Sequence, residues 1–139
     1  MSVPFDYDPV RSYNFVPTLS AGTSAPTVTY SQQVGTLDFI GRLCMVNVRV
    51  DLATLSGGSG YAYILLPFVP ARTIHYYGAC RWGGFTLPAG YTQMQAYAEG
   101  GDNQIKFRRS GSGLASALVQ IGELGSTATI GVALTVLVG

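Results

Sequence analysis

The chain has 139 residues, a length that suits one domain with one hydrophobic core. Only 11% of its residues are charged, against a usual share of about 25%, so its surface must be built from uncharged polar side chains or be partly covered by another copy. A formal net charge of +1 argues against a nucleic-acid-binding protein. The sequence contains no run of about 18 apolar residues, so no membrane-spanning helix is predicted.

The start of the chain has little strand character. Pro4 and Pro9 fall among residues 1–14, which show no apolar periodicity, and this predicts an extended N-terminal arm or linker. The same residues lack the basic and apolar regions of a secretory signal, so we expect synthesis in a cytoplasm or origin as a piece of a longer protein. A single domain is predicted at residues 15–139, opening with a short strand at 15–19.

Residues 27–52 predict a long β-hairpin with its corner at Ile40-Gly41-Arg42, because glycine adopts the positive φ that other residues resist. Gly35 interrupts the first half, which favours a bulge or a close backbone approach there. The second half alternates strictly, as a strand with one dry face does. The apolar residues of that face are Cys44, Val46, Val48, Val50 and Leu52.

Further strands are predicted at residues 61–66, 73–82, 92–99 and 104–109. Gly83-Gly84 is expected to break the second of these strands. The turn-forming residues at 100–103 predict that strands 92–99 and 104–109 pair as a hairpin. Residues 114–124 fit either a short helix or an irregular strand or loop.

The last predicted strand, at residues 127–138, has two uncharged faces. One face is apolar from Ile130 to Val138, and the other carries small or weakly polar residues, so burial on both sides is expected. A neighbouring subunit would provide the second cover most simply, which predicts a homo-oligomer. The candidate interface residues on the second face are Thr129, Ala133, Thr135 and Leu137.

Strands at this spacing, separated by Gly and Pro turns, predict an all-β fold, either an antiparallel β-sandwich or a jelly-roll-like domain. Two cysteines, Cys44 and Cys80, allow at most one internal disulfide, and Cys44 is expected to be a buried small apolar residue. Two cysteines and a single histidine make a poor zinc site, so we expect no metal or other cofactor.

The sequence offers little for catalysis. His75 is the one histidine and belongs to a predicted strand, where a packing or surface role is expected. Glu99, Asp102 and Glu123 are the candidates for a glycosidase pair. Glu99 and Asp102 flank one turn, however, and exposure to solvent there is enough to explain why both are acidic. We therefore expect a protein without enzymatic activity.

Carbohydrate binding explains the polar and aromatic residues with fewer assumptions than catalysis does. An aromatic ring packs under the apolar face of a sugar, while amide, carboxylate and guanidinium groups bind its hydroxyls. Trp82, beside Gly83-Gly84, is expected to be exposed in a loop. One candidate set consists of Tyr76, Tyr77, Arg81 and Trp82, and a second consists of Tyr97, Asp102 and Asn103.

Three segments also resemble a recurring motif. They are Phe15-Val16-Pro17-Thr18-Leu19, the hairpin at residues 30–42 with its Tyr-x-x-Gln-x-Gly-x-x-x-x-Ile-Gly spacing, and Leu65-Leu66-Pro67-Phe68. This order resembles C-terminal domains of tail fibres and tailspikes of tailed bacteriophages, although Leu37 stands where an aromatic residue is expected. The resemblance covers the first half of the chain well, whereas the second half is similar only in the spacing of its predicted strands.

The resemblance implies a small antiparallel β-sandwich that assembles as a homotrimer at the distal tip of a fibre and meets the host surface. The function expected from it is a non-enzymatic virion attachment module, made in the host bacterial cytoplasm, that binds a cell-surface glycan or an outer-membrane component. The alternatives are a structural virion module, such as a trimerisation end-cap or capsid decoration, and a non-catalytic accessory domain of a polysaccharide depolymerase.

Overall fold

Ten β-strands form one antiparallel sheet in the computed structural model, which describes residues 11–139. The strands are β1 (Arg11–Phe15), β2 (Leu19–Ala21), β3 (Thr27–Ile40), β4 (Leu43–Ser56), β5 (Ala62–Leu65), β6 (His75–Phe85), β7 (Gln93–Glu99), β8 (Gln104–Ser110), β9 (Ala117–Leu118) and β10 (Leu124–Leu137). The all-β, antiparallel fold class is confirmed. Within residues 11–139 no helix is long and apolar enough to cross a membrane.

Strand β6 joins the two halves of the sheet. The strand order is β1-β3-β4-β10-β6-β7-β8-β5-β2, with β9 beside β8. The start of β6, from His75 to Gly78, pairs with β7, whereas residues from Ala79 onward pair with β10. The two layers of the predicted sandwich are therefore the two halves of one curled sheet.

One hydrophobic core lies between these halves. The alternating apolar residues predicted to face inward on β4 and β10 are buried, and Val46, Val50 and Ile130 are each at most 1% exposed. Ile105 and Phe107 of β8 are fully buried in the same cluster. Period-two alternation thus identified the dry faces of both long strands, because each has one face on the core.

The predicted hairpins are confirmed. Strands β3 and β4 pair across Gly41, which has a φ of 60° at the corner, and β7 pairs with β8 as expected. The feature at Gly35 differs from the predicted bulge, because the register of β3 and β4 shifts near Tyr30 instead. The close approach at Gly35 is made by the Phe15 ring, and a Cβ added to this glycine would lie 2.5 Å from Phe15 Cε1.

The predicted first strand and arm need correction. Residues 1–10 of the arm lie outside the described part of the chain, and Arg11 to Asn14, also assigned to the arm, pair with β3. The strand predicted at 15–19 is wrong, because β1 ends at Phe15 and β2 begins only at Leu19. Pro17 lies between them and has no N–H to donate to a neighbouring strand. Its carbonyl accepts a 2.7 Å hydrogen bond from Gln33 Nε2.

Two later segments also differ from their predictions. Gly83-Gly84 does not end β6, which continues to Phe85, and the irregularity falls on β10 between Leu124 and Thr129. Residues 114–124 form no α-helix. They contain β9 and a 3-10 turn at Ile121–Glu123, in keeping with the irregular alternative.

Both cysteines are free thiols. Cys44 is fully buried, as predicted, and burial together with the negative charge of Asp38 raises its pKa to about 11. Burial raises the pKa of Cys80 to about 12. The two lie on β4 and β6, on opposite sides of β10, so the fold separates them by a strand.

Candidate functional site

The alternation of β6 divides the first predicted set of binding residues. Tyr77 and Arg81 point outward and are exposed, whereas Tyr76 and Trp82 share the opposite parity and face the core. Tyr76 is 9% exposed, and its hydroxyl donates a hydrogen bond to the Ala71 carbonyl. The expectation that Trp82 lies exposed in a loop is wrong, because β6 continues past it. Its ring is half-buried and packs edge-to-face against Phe85 with centroids 6.0 Å apart.

Three rings meet on the outer face of the layer formed by β6, β7 and β8. Tyr97 of β7 pairs directly with Tyr77 of β6, and their ring centroids lie 6.1 Å apart. The His75 ring lies 5.2 Å from Tyr97 and 5.9 Å from Tyr77. We call His75, Tyr77 and Tyr97 the outer aromatic cluster. Tyr97 is only 1% exposed although it points away from the core, whereas Tyr77 is 56% exposed.

The basic side chain of Arg108 covers the buried ring of this cluster. The Arg108 guanidinium carbon lies 5.4 Å from the Tyr97 ring centroid, a distance that permits a cation–π contact. Arg108 also donates to Ser116 Oγ over 3.3 Å. Burial raises the pKa of Tyr97, and the positive charges of Arg108 and Lys106 oppose that rise only in part, so its hydroxyl remains protonated near neutral pH.

An ionic network borders the cluster on its other side. Lys106 Nζ lies 3.1 Å from Asp102 Oδ2 and 3.9 Å from Glu99 Oε1, and Glu99 Oε1 lies 3.3 Å from His75 Nε2. Burial opposes ionisation of Lys106, but its hydrogen bond to Asp102 and the charges of both carboxylates outweigh that effect and raise its pKa. Lys106 therefore stays charged and fixes the two carboxylates beside the aromatic rings.

A cleft opens beside the outer aromatic cluster. Its volume of ≈ 400 Å³ falls in the range of small-molecule sites. The residues that line it are His75, Tyr77, Gln95, Arg108, Ser110 and Ser116. We call it the cluster cleft. It combines an exposed ring with side chains that donate hydrogen bonds, the chemistry that binds a sugar.

The structure therefore brings together one residue from each predicted binding set. Tyr77 and Tyr97 pack together, and Asp102 lies beside them in the ionic network, 3.1 Å from Lys106 Nζ. Asn103 follows Asp102 in the turn, where its carbonyl accepts a hydrogen bond from Leu66 N. Arg81 lies apart, on the outer face of the other layer. Neither predicted set contained His75, Gln95 or Arg108.

The predicted oligomer interface lies on that other layer. Ala133 and Thr135 are exposed on the outer face of β10, and Thr129 and Leu137 are half-buried. Gly131, between Arg49 of β4 and Arg81 of β6, forms part of the floor of a shallow cleft of ≈ 400 Å³. We call the outer surface of β3, β4, β10 and the second half of β6 the open face.

The motif segments converge at a third place. Tyr13, Phe15, Phe39 and Phe68 line a cleft of ≈ 530 Å³, with Tyr13 edge-to-face on Phe39 at 5.7 Å and Phe39 6.2 Å from Phe68. The opening, central and closing parts of the motif therefore form one apolar site in the fold. Its lining is mostly apolar, with Arg11 and Asn14 as its polar side chains, so it is a weaker candidate for sugar recognition than the cluster cleft.

The carboxylates considered for catalysis all have basic partners. Glu99 and Asp102 contact Lys106, and Glu123 accepts a 2.8 Å hydrogen bond from Arg109 Nε. Glu123 also accepts the backbone N–H of Gln120 over 2.9 Å. In the described part of the chain no group of three or more His, Cys, Asp or Glu side chains is arranged to hold a metal ion.

Comparison with known proteins gives one result on the fold. No family model and no curated protein matches the sequence. The structure is similar to the crystal structure of the Dettilon tailspike protein (gp208), with a TM-score of 0.71 and 19% sequence identity. The match covers 91% of this chain and 23% of that chain, so this chain spans about a quarter of the length of the tailspike. At this identity the likeness shows a shared fold.

Proposed function

We propose that this chain is a non-enzymatic attachment module of a bacteriophage tail fibre or tailspike, carried on the virion, that binds a glycan of the host cell surface through the cluster cleft. The observation that carries the proposal is the exposed ring of Tyr77, held against the buried Tyr97 and bordered by hydrogen-bonding side chains. An aromatic platform that is already ordered loses little entropy when a sugar packs on it.

Two features support the phage context. The motif resemblance in the first half of the chain implies a tail fibre or tailspike domain, and the fold is shared with part of a tailspike protein. One feature rests on residue order and the other on backbone geometry. The binding role itself rests on the chemistry of the cluster cleft.

Binding is tested with the isolated chain on a glycan array and on whole bacterial cells. We expect Tyr77→Ala to weaken binding by about two- to tenfold, because a well-placed aromatic contact is worth about 0.5–1.5 kcal/mol. Val69→Ala is the control, since Val69 is 53% exposed, close to the 56% of Tyr77, and lines none of the three clefts described above. Equal binding by the wild-type chain and Tyr77→Ala would exclude the cluster cleft as the receptor site.

We further propose that the chain assembles as a homotrimer through its open face. The support is the unpartnered outer surface of β10, where Ala133 and Thr135 are exposed beside Met45, which is 38% exposed. Uncharged small residues at the centre of a broad sheet permit close packing by a second sheet. A trimer arranged around a three-fold axis would cover this surface on every subunit.

Assembly is tested by sedimentation velocity at micromolar concentration. Ala133→Arg introduces a long charged side chain at the centre of the open face and should convert the trimer to monomers without loss of folding, because position 133 is exposed in the subunit. Ala25→Arg, at another exposed alanine in the loop after β2, is the control and should leave the trimer intact. A wild-type chain that sediments as a monomer would contradict the proposal.

The structural alternative, an end-cap or decoration module without receptor binding, is favoured by the same open face, which would serve assembly alone. A trimer that binds no glycan and no host cell would support it. The accessory-domain alternative predicts that the chain binds host polysaccharide as one part of a depolymerase. Release of reducing ends by this chain alone would contradict the non-enzymatic role.

A further inference from the structure

The basic residues around the cluster cleft differ in whether a carboxylate neutralises them. Lys106 contacts Asp102 and Glu99, and Arg109 contacts Glu123. Arg108, by contrast, has no carboxylate within 4 Å among the described residues. Its polar side-chain contact is the Ser116 hydroxyl at 3.3 Å.

Arg108 is also held in place before any ligand arrives. Its guanidinium lies over the Tyr97 ring, and the bond to Ser116 fixes one side of the group. Strand β8 carries the residue between β7 and β9, because Arg108 pairs with Gln95 on one side and Leu118 on the other. Arginine is planar and presents two parallel N–H groups, a geometry that matches a carboxylate, a sulfate or a phosphate.

The remaining lining of the cluster cleft is rich in hydrogen-bond donors. Gln95, Ser110 and Ser116 each carry a group that donates to an anionic oxygen, and no Asp or Glu is among the lining residues. Glu99 lies on the far side of His75, where it contacts Nε2. An anion bound at Arg108 would therefore meet donors and avoid the two carboxylates held by Lys106.

We infer that the ligand of the cluster cleft is an anionic sugar, with its ring on Tyr77 and its acidic group on Arg108, Ser110 and Ser116. This inference rests on the proposed glycan-binding function and specifies the class of glycan. The acidic group is a carboxylate, as in a uronic acid, or a sulfate or phosphate ester, since all three present oxygens to the same donors.

The experiment uses the full chain on an array in which each acidic glycan has a neutral counterpart. The pairs are glucuronic acid with glucose, galacturonic acid with galactose, and sulfated or phosphorylated sugars with the unsubstituted ones. We expect the acidic member to bind at least about tenfold more tightly, because hydrogen bonds to charged groups are the stronger ones. The preferred acidic group identifies whether the source is a uronic acid or an ester.

Substitution at Arg108 tests the assignment to this residue. Arg108→Gln should remove the preference for the acidic member of each pair, whereas Arg108→Lys should retain part of it, since lysine keeps the charge but not the planar fork. Arg42→Gln removes the same charge at the β3–β4 corner and should leave the preference unchanged. Thermal melting of each variant reports whether the fold persists.

The outcomes separate this inference from the proposed function. Neutral sugars that bind as well as acidic ones, with binding still lost in Tyr77→Ala, would overturn the anionic ligand and retain glycan binding. An acidic preference that persists in a folded Arg108→Gln variant would overturn the role of Arg108. Absence of binding to every glycan and every host cell would overturn the proposed function and the inference together.

Discussion

Two Arg–carboxylate pairs of nearly equal length differ in burial, and this difference predicts very different contributions to stability. Arg109 and Glu123 are 2.8 Å apart with side chains 12% and 11% exposed, whereas Arg49 and Asp51 are 2.9 Å apart with Arg49 60% exposed. Glu123→Gln and Asp51→Asn each remove one negative charge and keep the shape of the side chain. We expect the first change to be far more destabilising.

The expected magnitudes follow from solvent exposure. Breaking a buried ion pair by removing one partner costs about 3–5 kcal/mol, because the remaining charge stays buried without a partner. Arg109 keeps its contact with the Tyr91 ring, with its guanidinium carbon 4.5 Å from the centroid, so the lower end of about 3 kcal/mol applies to Glu123→Gln. Asp51→Asn should cost about 0–1 kcal/mol, as for other exposed pairs.

Urea denaturation gives both values, since urea carries no charge and does not screen the ion pairs. At matched protein concentration, Glu123→Gln should also lower Tm by roughly 10 °C. A double-mutant cycle with Arg109→Gln isolates the interaction energy of the pair. Costs that agree within about 0.5 kcal/mol for the two pairs would refute the argument that burial makes the Arg109–Glu123 pair dominant.

Other predictions concern stability. Gly35→Ala should lower the free energy of unfolding by about 1–3 kcal/mol, because the new Cβ would lie 2.5 Å from Phe15 Cε1. Gly122→Ala is the control and should lower it less, since a Cβ at Gly122 would meet open space; denaturant titration measures both. The pKa of Cys44 is about 11 in the folded chain against 9.0 for an ordinary thiol, so the thiol ionises first in the unfolded chain as the pH rises. The urea midpoint should therefore fall between pH 9 and pH 11, and it should fall less steeply in Cys44→Ala. Trp82→Ala should lower Tm more than Tyr77→Ala does, since only Trp82 packs on the core; the reverse order would contradict the burial of β6.

The long strands β4 and β10 could be predicted from sequence because each has one face on the core. Their apolar residues alternate over many positions, so a single parity gives both the strand and its buried side. The corner at Gly41 was predictable for a similar local reason, since a positive φ at a two-residue turn favours glycine. Features determined by residues near in sequence were the ones that the sequence revealed.

The candidate site depends instead on register between distant strands. Tyr77, Tyr97 and Arg108 lie on three strands, and only the pairing of β6 with β7 and of β7 with β8 brings them together. The predicted hairpin of residues 92–109 does place Gln95 opposite Arg108, so part of this signal was present in the sequence. The partner of Tyr77 was not, because 20 residues separate it from Tyr97 and no local pattern determines their pairing.

The outer faces of the two layers meet along β6, and this continuity predicts that assembly and ligand binding are linked. Ala79 pairs with Ala133 at the open face, and Tyr77 lies two residues away with the same parity. A subunit that packs over Ala133 would therefore stand beside the cluster cleft and exclude water from one side of it, which strengthens the hydrogen bonds that a bound sugar makes there. We expect the monomeric Ala133→Arg variant to bind a monovalent glycan more weakly per site than the assembled chain does, as measured by calorimetric titration. Equal affinities per site would show that the two surfaces act independently although they share a strand.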